Sequence, residues 1–362
     1  MKDFCTSDLS AIAGKRVLVT GHTGFKGSWL TMVLHSMGAE VMGYSLQPNT
    51  EPAMFYVVNV SQYCHSVIGN ILDKDKLEQT FADFMPDVVF HLAAQPIVRT
   101  SYNIPVETFE VNTLGTLNVL EAIRKLNNAC VGIMITTDKV YLNNETGQAY
   151  KESDPFGGYD PYSASKAAAE IVIDSYRNSF FNPEKYSEHK KSIASVRAGN
   201  VIGGGDWAAD RLVPDIARAL SANKAINIRN PKSVRPWQHV LEPLFGYITL
   251  AAKILQSPTL YNEGFNFGPN PNDVITVGEM AQMGIDIWGQ GILEFPQMTN
   301  QPHEANLLSL DISKAAKVLE WRPLMNAKSA LEMTIKWYKA YYDGCDMNAF
   351  TLKQIEEYCN LR

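Results

Sequence analysis

Residues 16–30 read RVLVTGHTGFKGSWL: a short β-branched run, then glycines at 21, 24 and 27, then the start of an apolar helical pattern. A strand that leads into Gly-x-x-Gly-x-x-Gly and then a helix brings backbone N–H groups and the positive end of a helix to one place, an arrangement that receives a pyrophosphate. Glycine is needed there because a Cβ would block the tight turn or the close approach of the ligand. The alternative reading, a plain glycine-rich turn, weakens because the loop follows the first strand of an alternating chain. His22 and Lys26 are potential cations that a bare turn does not require, so they read either as solvated loop residues or as contacts to a cofactor or substrate.

Up to about residue 200, short apolar runs alternate with longer stretches in which apolar residues recur at spacings of three and four, such as LEQTFADFM and VNTLGTLNVLEAIRKL. Expected strands are 16–20, 40–44, 64–68, 88–92, 131–136 and 192–197. This pattern predicts the α/β class: a doubly wound parallel sheet forming a Rossmann-type NAD domain over residues 1–200. After Asn200, glycines and prolines cluster (VIGGGDW, RNPKSVRPWQ, FGPNPND), which predicts a smaller C-terminal substrate-binding lobe over 201–362. The run VLEPLFGYITLAAKIL predicts a segment near 239–263 that returns to the first domain.

Composition bounds the function. The 362 residues are 46% hydrophobic with a net charge of −6, which argues against a nucleic-acid surface. The five scattered cysteines show no metal-type spacing, so no metal is expected, and free thiols point to a reducing, cytoplasmic compartment. The N-terminal stretch lacks the pattern of a secretion leader and no run is long enough to span a bilayer, so no membrane partner is expected.

Two stretches bear the chemistry. In DPYSASKAAAE, Tyr162 and Lys166 stand four residues apart, one helical turn, where an ammonium favours a phenolate. Tyr162 could then take a proton from a sugar hydroxyl as hydride leaves its carbon. Thr136, Thr137, Asp138 and Lys139 follow the apolar run VGIMI, at the carboxyl end of a strand, where open α/β sheets bind ligands. The second strand ends in GYSLQPNT, with Ser45 where a ribose-binding carboxylate is usual, and no arginine follows for a 2′-phosphate, which favours NAD over NADP. With that carboxylate missing, His22 and Lys26 are expected to supply cofactor affinity.

TGHTGFKG, HLAAQ, TTDKVY, PYSASK, RAGNVIGGGDW, RPWQHV and FNFGP occur in that order. Together they resemble the extended short-chain dehydrogenase/reductase family, whose members act on nucleotide sugars, over nearly the whole chain. Within it, FKGSWL, GNVIGGGDWAADRLVPD and RPWQHVLEPL are most similar to the branch that dehydrates CDP-glucose to CDP-4-keto-6-deoxyglucose for dideoxysugar synthesis. The resemblance implies NAD as a recycled cofactor, Tyr162 as the base for the 4-hydroxyl, Lys166 on the nicotinamide ribose and Thr137 on the sugar hydroxyl. It also implies Asp138 as the acid that protonates the departing C6 hydroxyl, a task for a carboxyl with a raised pKa. Lys139 departs from the family's usual glutamate, and serves as the C5 base only if neutral.

The same resemblance carries cofactor contacts onto Gly21, Gly24, Phe25, Gly27, Leu92, Ala93, Ala94 and Thr136, with Asn70 and Ile71 at the adenine, Asn70 replacing the usual aspartate. Substrate contacts fall on Asn200, Arg211, Arg235 and His239, with Arg99 and Tyr102 near the sugar and His303 and Glu304 closing over the nucleotide. Trp207, Trp237 and Trp321 are expected in packing. A homodimer is implied through the helix near 112–126 and the one carrying Tyr162. The apolar residues Leu114, Leu117, Val119 and Ile171 fit either that interface or the core. The rival readings are a nucleotide-sugar 4-epimerase, which needs no acid at C6; a dehydratase for dTDP-, GDP- or UDP-sugars; and an NAD-sensing binding protein, which has no use for both Tyr162 and Lys166.

Overall fold

The alternation of the sequence is realised as seven strands in one sheet, each paired in parallel with its neighbours. The structure, a computed structural model, describes residues 9–144, 147–228, 230–273, 275–295 and 308–362. Strands β1 (Arg16–Thr20), β2 (Glu40–Ser45), β3 (His65–Ile68), β4 (Val88–His91), β5 (Cys130–Ile135) and β6 (Lys191–Ala198) are joined at the far edge by Gly264–Phe267. The order runs from that last strand through β6, β5, β4, β1 and β2 to β3, so the winding reverses between β1 and β4. In such sheets the crevice at the reversal, outside the carboxyl ends of the strands, is where ligands bind.

Both faces of the sheet are covered, which is why its strands are near-continuous apolar runs. Val17, Val19, Phe90, Ile133 and Val196 face a large core shared with the glycine-loop helix Phe25–Ser36 and the helix Leu241–Gln256. Leu18, Val89, Met134 and Ile193 face the other way, against helices Lys74–Phe84, Gly115–Lys125 and Pro161–Ser179. After residue 200 the strands shrink to pairs of residues, with Gly264–Phe267 as the exception; its sequence, GFNF, was not anticipated as a strand. No helix among the described residues is long and apolar enough to cross a membrane.

Candidate active site

The glycine loop leaves β1 and packs against the chain just beyond β4, the two strands that flank the reversal. Gly21 has φ +80°, and a Cβ there would stand 2.8 Å from the Ala93 nitrogen, beyond β4. A Cβ at Gly27 would come within 2.0 Å of the Gly21 carbonyl oxygen. Gly24, the cap of the helix Phe25–Ser36, is different, since a Cβ there would meet only that carbonyl, at 3.4 Å. Two glycines close the loop and the third leaves its outer side open beneath the helix N-terminus. That cradle fits the pyrophosphate of a dinucleotide.

The HLAA segment is pinned by a buried chain of hydrogen bonds whose directions follow from their ends. Thr116 Oγ1 donates to the Asn112 carbonyl at 2.7 Å, so at 3.0 Å it accepts from His91 Nε2. His91 Nδ1 is then the acceptor, taking the Thr20 hydroxyl proton at 2.8 Å, while Thr20 Oγ1 accepts from the Ala93 amide at 3.2 Å. Burial, then the nearby Lys166 charge, push the His91 pKa down to about 3, so the neutral tautomer this chain requires is maintained.

His22 and Lys26 part company. The His22 ring is fully buried, with Nε2 2.7 Å from Ser66 Oγ and an edge contact to Phe55. A Cβ at Gly43 would overlap it at 2.2 Å. Burial holds its pKa down to about 4, which corrects the expectation of a cation: the ring is packed, neutral, against β2 and β3. Lys26 faces the catalytic groups, its pKa lowered to about 8 by burial and then by Arg211, with Asp138 and Asp206 pulling the other way. At the end of β2, Ser45 Oγ lies 2.8 Å from Thr23 Oγ1, which itself donates to the Leu46 carbonyl. Asn70 Oδ1 accepts from the Leu72 amide and Ile71 is buried against Gly115, so both line the wall beyond β3.

Tyr162 and Lys166 stand in the first turns of Pro161–Ser179. Asp160 caps this helix, accepting from the Ser163 amide at 2.9 Å and its hydroxyl at 2.6 Å, with proline at the first helical position. The Tyr162 hydroxyl stands beside the Thr137 and Asp138 side chains. Burial raises its pKa to about 12, Thr137 and Arg211 working against the rise and Asp138 with it. Lys166 Nζ donates to the Ile135 carbonyl at 3.3 Å, and its pKa is lowered to about 8 by burial and then by Lys26, with Glu170 opposing. Thr137 Oγ1 donates to Asp138 Oδ1 at 3.0 Å and accepts from the Lys139 amide at 3.4 Å. Asp138 is 3% exposed, its Oδ2 lying 2.8 Å from where a Cβ on Gly199 would be. Lys139 is half-buried and makes no ion pair with a described residue.

Arg211 comes to the same cluster from the chain after residue 200. Arg211 Nη1 pairs with Asp206 Oδ2 at 2.7 Å, and Arg99 Nη1 with Asp210 Oδ1 at 3.2 Å. The loop before Arg211 is fixed by close packing: a Cβ on Gly204 would overlap Trp337 at 2.0 Å, and Trp29 Nε1 donates to the Gly204 carbonyl at 2.9 Å. Asn200 and Arg235 are half-buried and Tyr102 is exposed. The His239 ring is fully buried edge-on to Trp29, Nδ1 accepts from the Leu241 amide, and burial drops its pKa to about 3. Trp207, Trp237 and Trp321 are buried. His303 and Glu304 lie outside the described residues.

Sequence reasoning passed over Asn112. The expected single helix near 112–126 is a π-helical turn, Glu110–Leu114, followed by Gly115–Lys125. This aims the Asn112 side chain at the Tyr162 helix: Nδ2 donates to Ser165 Oγ at 2.9 Å and to the Gln95 carbonyl, while Oδ1 accepts from the Gln95 amide. An asparagine inside a helix, against its propensity, was the available signal. Among the described residues no group of acidic, histidine or cysteine side chains could hold a metal.

This geometry has known counterparts. The chain is 48% identical to CDP-glucose 4,6-dehydratase of Salmonella typhimurium, the alignment covering 95% of this chain and 96% of that one. It is 26% identical to CDP-paratose 2-epimerase of Salmonella typhi, over 89% and 98% of the two chains. Among solved structures, UDP-glucose 4-epimerase of Thermotoga maritima superposes with a TM-score of 0.76 at 21% identity, covering 90% of this chain and 99% of that one. An NAD complex of dTDP-glucose 4,6-dehydratase from Bacillus anthracis superposes with a TM-score of 0.75 at 20% identity, over 92% and 99%. These two share the fold. Residues 18–334 match the family described as GDP-mannose 4,6 dehydratase, and the chain belongs to that family.

Proposed function

We propose that the protein is an NAD-dependent 4,6-dehydratase that converts CDP-glucose and releases water. The observation that carries this reading is Asp138, buried beside Tyr162 and hydrogen-bonded to Thr137, because an epimerase has no C6 leaving group to protonate. The 48% identity to CDP-glucose 4,6-dehydratase supports the nucleotide assignment.

NAD, when bound, would supply a hydride acceptor and donor. Gly21, Gly24, Phe25, Lys26 and Gly27 would hold it from one side and Leu92, Ala93, Ala94 and Thr136 from the other, with Asn70 and Ile71 toward the adenine. Tyr162, beside Thr137, removes the 4-hydroxyl proton, and Lys166 orients the ribose and favours the phenolate. The resulting ketone acidifies the C5 proton, which Lys139 takes; Asp138 gives its proton to the C6 hydroxyl as water leaves; Lys139 returns the proton to C5. The proton left on Tyr162 balances the one lost by Asp138. Arg211, Arg235 and Asn200 suit the substrate's phosphates, because a guanidinium binds phosphate oxygens in a planar fork, while Arg99 and Tyr102 flank the sugar.

The assignment of residues 1–200, with a returning segment near 239–263, to the cofactor and of 201–362 to the nucleotide sugar belongs to this reading. So does a homodimer. Val119 is in the core, but Leu114 and Ile171, on the helices expected to pair, are 50 and 60% exposed, and Val106 and Phe109 extend the apolar surface beside Leu114 at 70 and 40%. A cytoplasmic site is supported by the unoxidised thiols of Cys64, Cys130 and Cys345.

Incubation with CDP-, dTDP-, GDP- and UDP-hexoses and NAD, followed by the alkali-induced absorbance of 4-keto-6-deoxy products, tests the reading. Product from CDP-glucose is expected; no product from any donor refutes dehydration, and preference for another donor refutes the nucleotide.

A further inference from the structure

Glu170 and Arg197 take no part in the chemistry above, yet both are charged and buried, 2% and 4% exposed. They form a two-pronged ion pair, Arg197 Nε donating to Glu170 Oε1 at 2.8 Å and Nη2 to Oε2 at 3.0 Å. Burial disfavours the Glu170 charge, but Arg197 and the hydrogen bonds from Arg197 and Thr136 outweigh it and keep the carboxyl below its ordinary range. A buried pair is a poor device for stability alone, since well-packed apolar residues often do as well. What it grips is more informative.

Thr136, the residue before Thr137, donates Oγ1 to Glu170 Oε1 at 2.5 Å. Tyr141, the residue after the turn Asp138–Val140, accepts on its hydroxyl from Arg197 Nη1 at 2.7 Å and lies beneath the guanidinium, 5.2 Å from ring centre to charge. Phe156 flanks the guanidinium at 4.8 Å. Both ends of the loop that presents Thr137, Asp138 and Lys139 are therefore tied to one ion pair. Glu170 stands one helical turn beyond Lys166, and Arg197 is in β6, beside the strand that feeds the loop. Gly264 leaves the space, since a Cβ there would be 2.7 Å from Arg197 Nη2.

We propose that Glu170 and Arg197 are positioning residues that set the Thr137–Asp138–Lys139 loop against Tyr162 and Lys166 by gripping residues 136 and 141. The catalytic meaning of the grip rests on the dehydratase reading; the grip itself does not.

The test compares native protein with Glu170→Gln and with the double variant Glu170→Met, Arg197→Met, which leaves no uncompensated charge in the core and carries the test if the single variant does not fold. For a variant with a cooperative melt, amide exchange over residues 136–141 is expected to quicken about tenfold or more while β1 and β4 exchange as in native protein. With CDP-glucose and NAD, kcat is expected to fall about tenfold or more with KM within about threefold of native. A folded double variant with native loop exchange overturns the proposal, and so does faster exchange with native kcat. If native protein does not turn over CDP-glucose, the functional reading fails, and loop exchange still decides whether the pair holds the loop.

Discussion

The Lys166 ammonium donates to the Ile135 carbonyl oxygen at 3.3 Å, linking the helix that carries Tyr162 to the last residue of the strand that delivers Thr137 and Asp138. The residues we propose as base and acid are thereby held by one cation. Its charge is precarious, because burial and the neighbouring Lys26 both disfavour it.

With a pKa lowered to about 8, Lys166 loses its proton just above neutrality, and with it the charge that favours the Tyr162 phenolate. The kcat/KM profile is expected to fall above about pH 8. Lys26→Met removes a positive neighbour, so Lys166 holds its proton to higher pH and the alkaline limb moves upward. A limb that stays in place or moves down in the variant contradicts this coupling.

Asp138→Asn keeps the side chain's size and its acceptor for the Thr137 hydroxyl but has no proton to give at C6. Oxidation at C4 continues and elimination slows, so reduced cofactor absorbance should accumulate on mixing with substrate while turnover drops about 100-fold or more. Stopped-flow absorbance with product analysis checks this; a variant that turns over without such a build-up excludes Asp138 as the acid.

Three buried histidines set the acid limit of the fold. His22, His91 and His239 have pKa values lowered to about 4, 3 and 3 by burial, so between these values and about 6.5 the unfolded chain binds more protons than the folded one. Stability is fully present above pH 6.5 and is lost as pH falls, by about 3 kcal/mol or more per histidine once the lower pKa is reached. Melting temperature should decline steadily from pH 6.5 to 4.5. His22→Gln, which removes one of these groups, should flatten the decline; an unchanged slope shows that His22 titrates normally.

The sheet was legible because strands covered on both faces are apolar runs bounded by turns, and β1 to β6 lie within a residue or so of where the pattern puts them. The strand Gly264–Phe267 was not, since GFNF alternates small, aromatic and polar residues and Asn266 is buried as a hydrogen-bonding node for Tyr141 and Tyr150. Tyr162 and Lys166 fall one turn apart in the helix Pro161–Ser179 and Thr137 and Asp138 follow directly on β5, placements that local spacing fixes. The burial of His22 and His239 was not legible because the charge of a histidine depends on what covers it. Sequence shows neither the ring slot opposite Gly43 nor the Trp29 face. The ion pair of Glu170 and Arg197 escaped for the same reason, its members being 27 residues apart on different elements.

The loop glycines separate fold from ligand. Gly27 meets the Gly21 carbonyl so closely that a methyl group would need to displace the loop, whereas Gly24 has φ −78° and only a 3.4 Å contact on its outer side. Gly27→Ala is therefore expected to cost about 1–3 kcal/mol of stability through overpacking. Gly24→Ala keeps the native melt yet places a methyl group where the pyrophosphate must approach the helix N-terminus, raising the Kd for NAD about tenfold or more, the equivalent of ~1.4 kcal/mol. Calorimetric NAD titration beside thermal melts checks both. Native affinity in Gly24→Ala would place the pyrophosphate elsewhere than over the start of this helix.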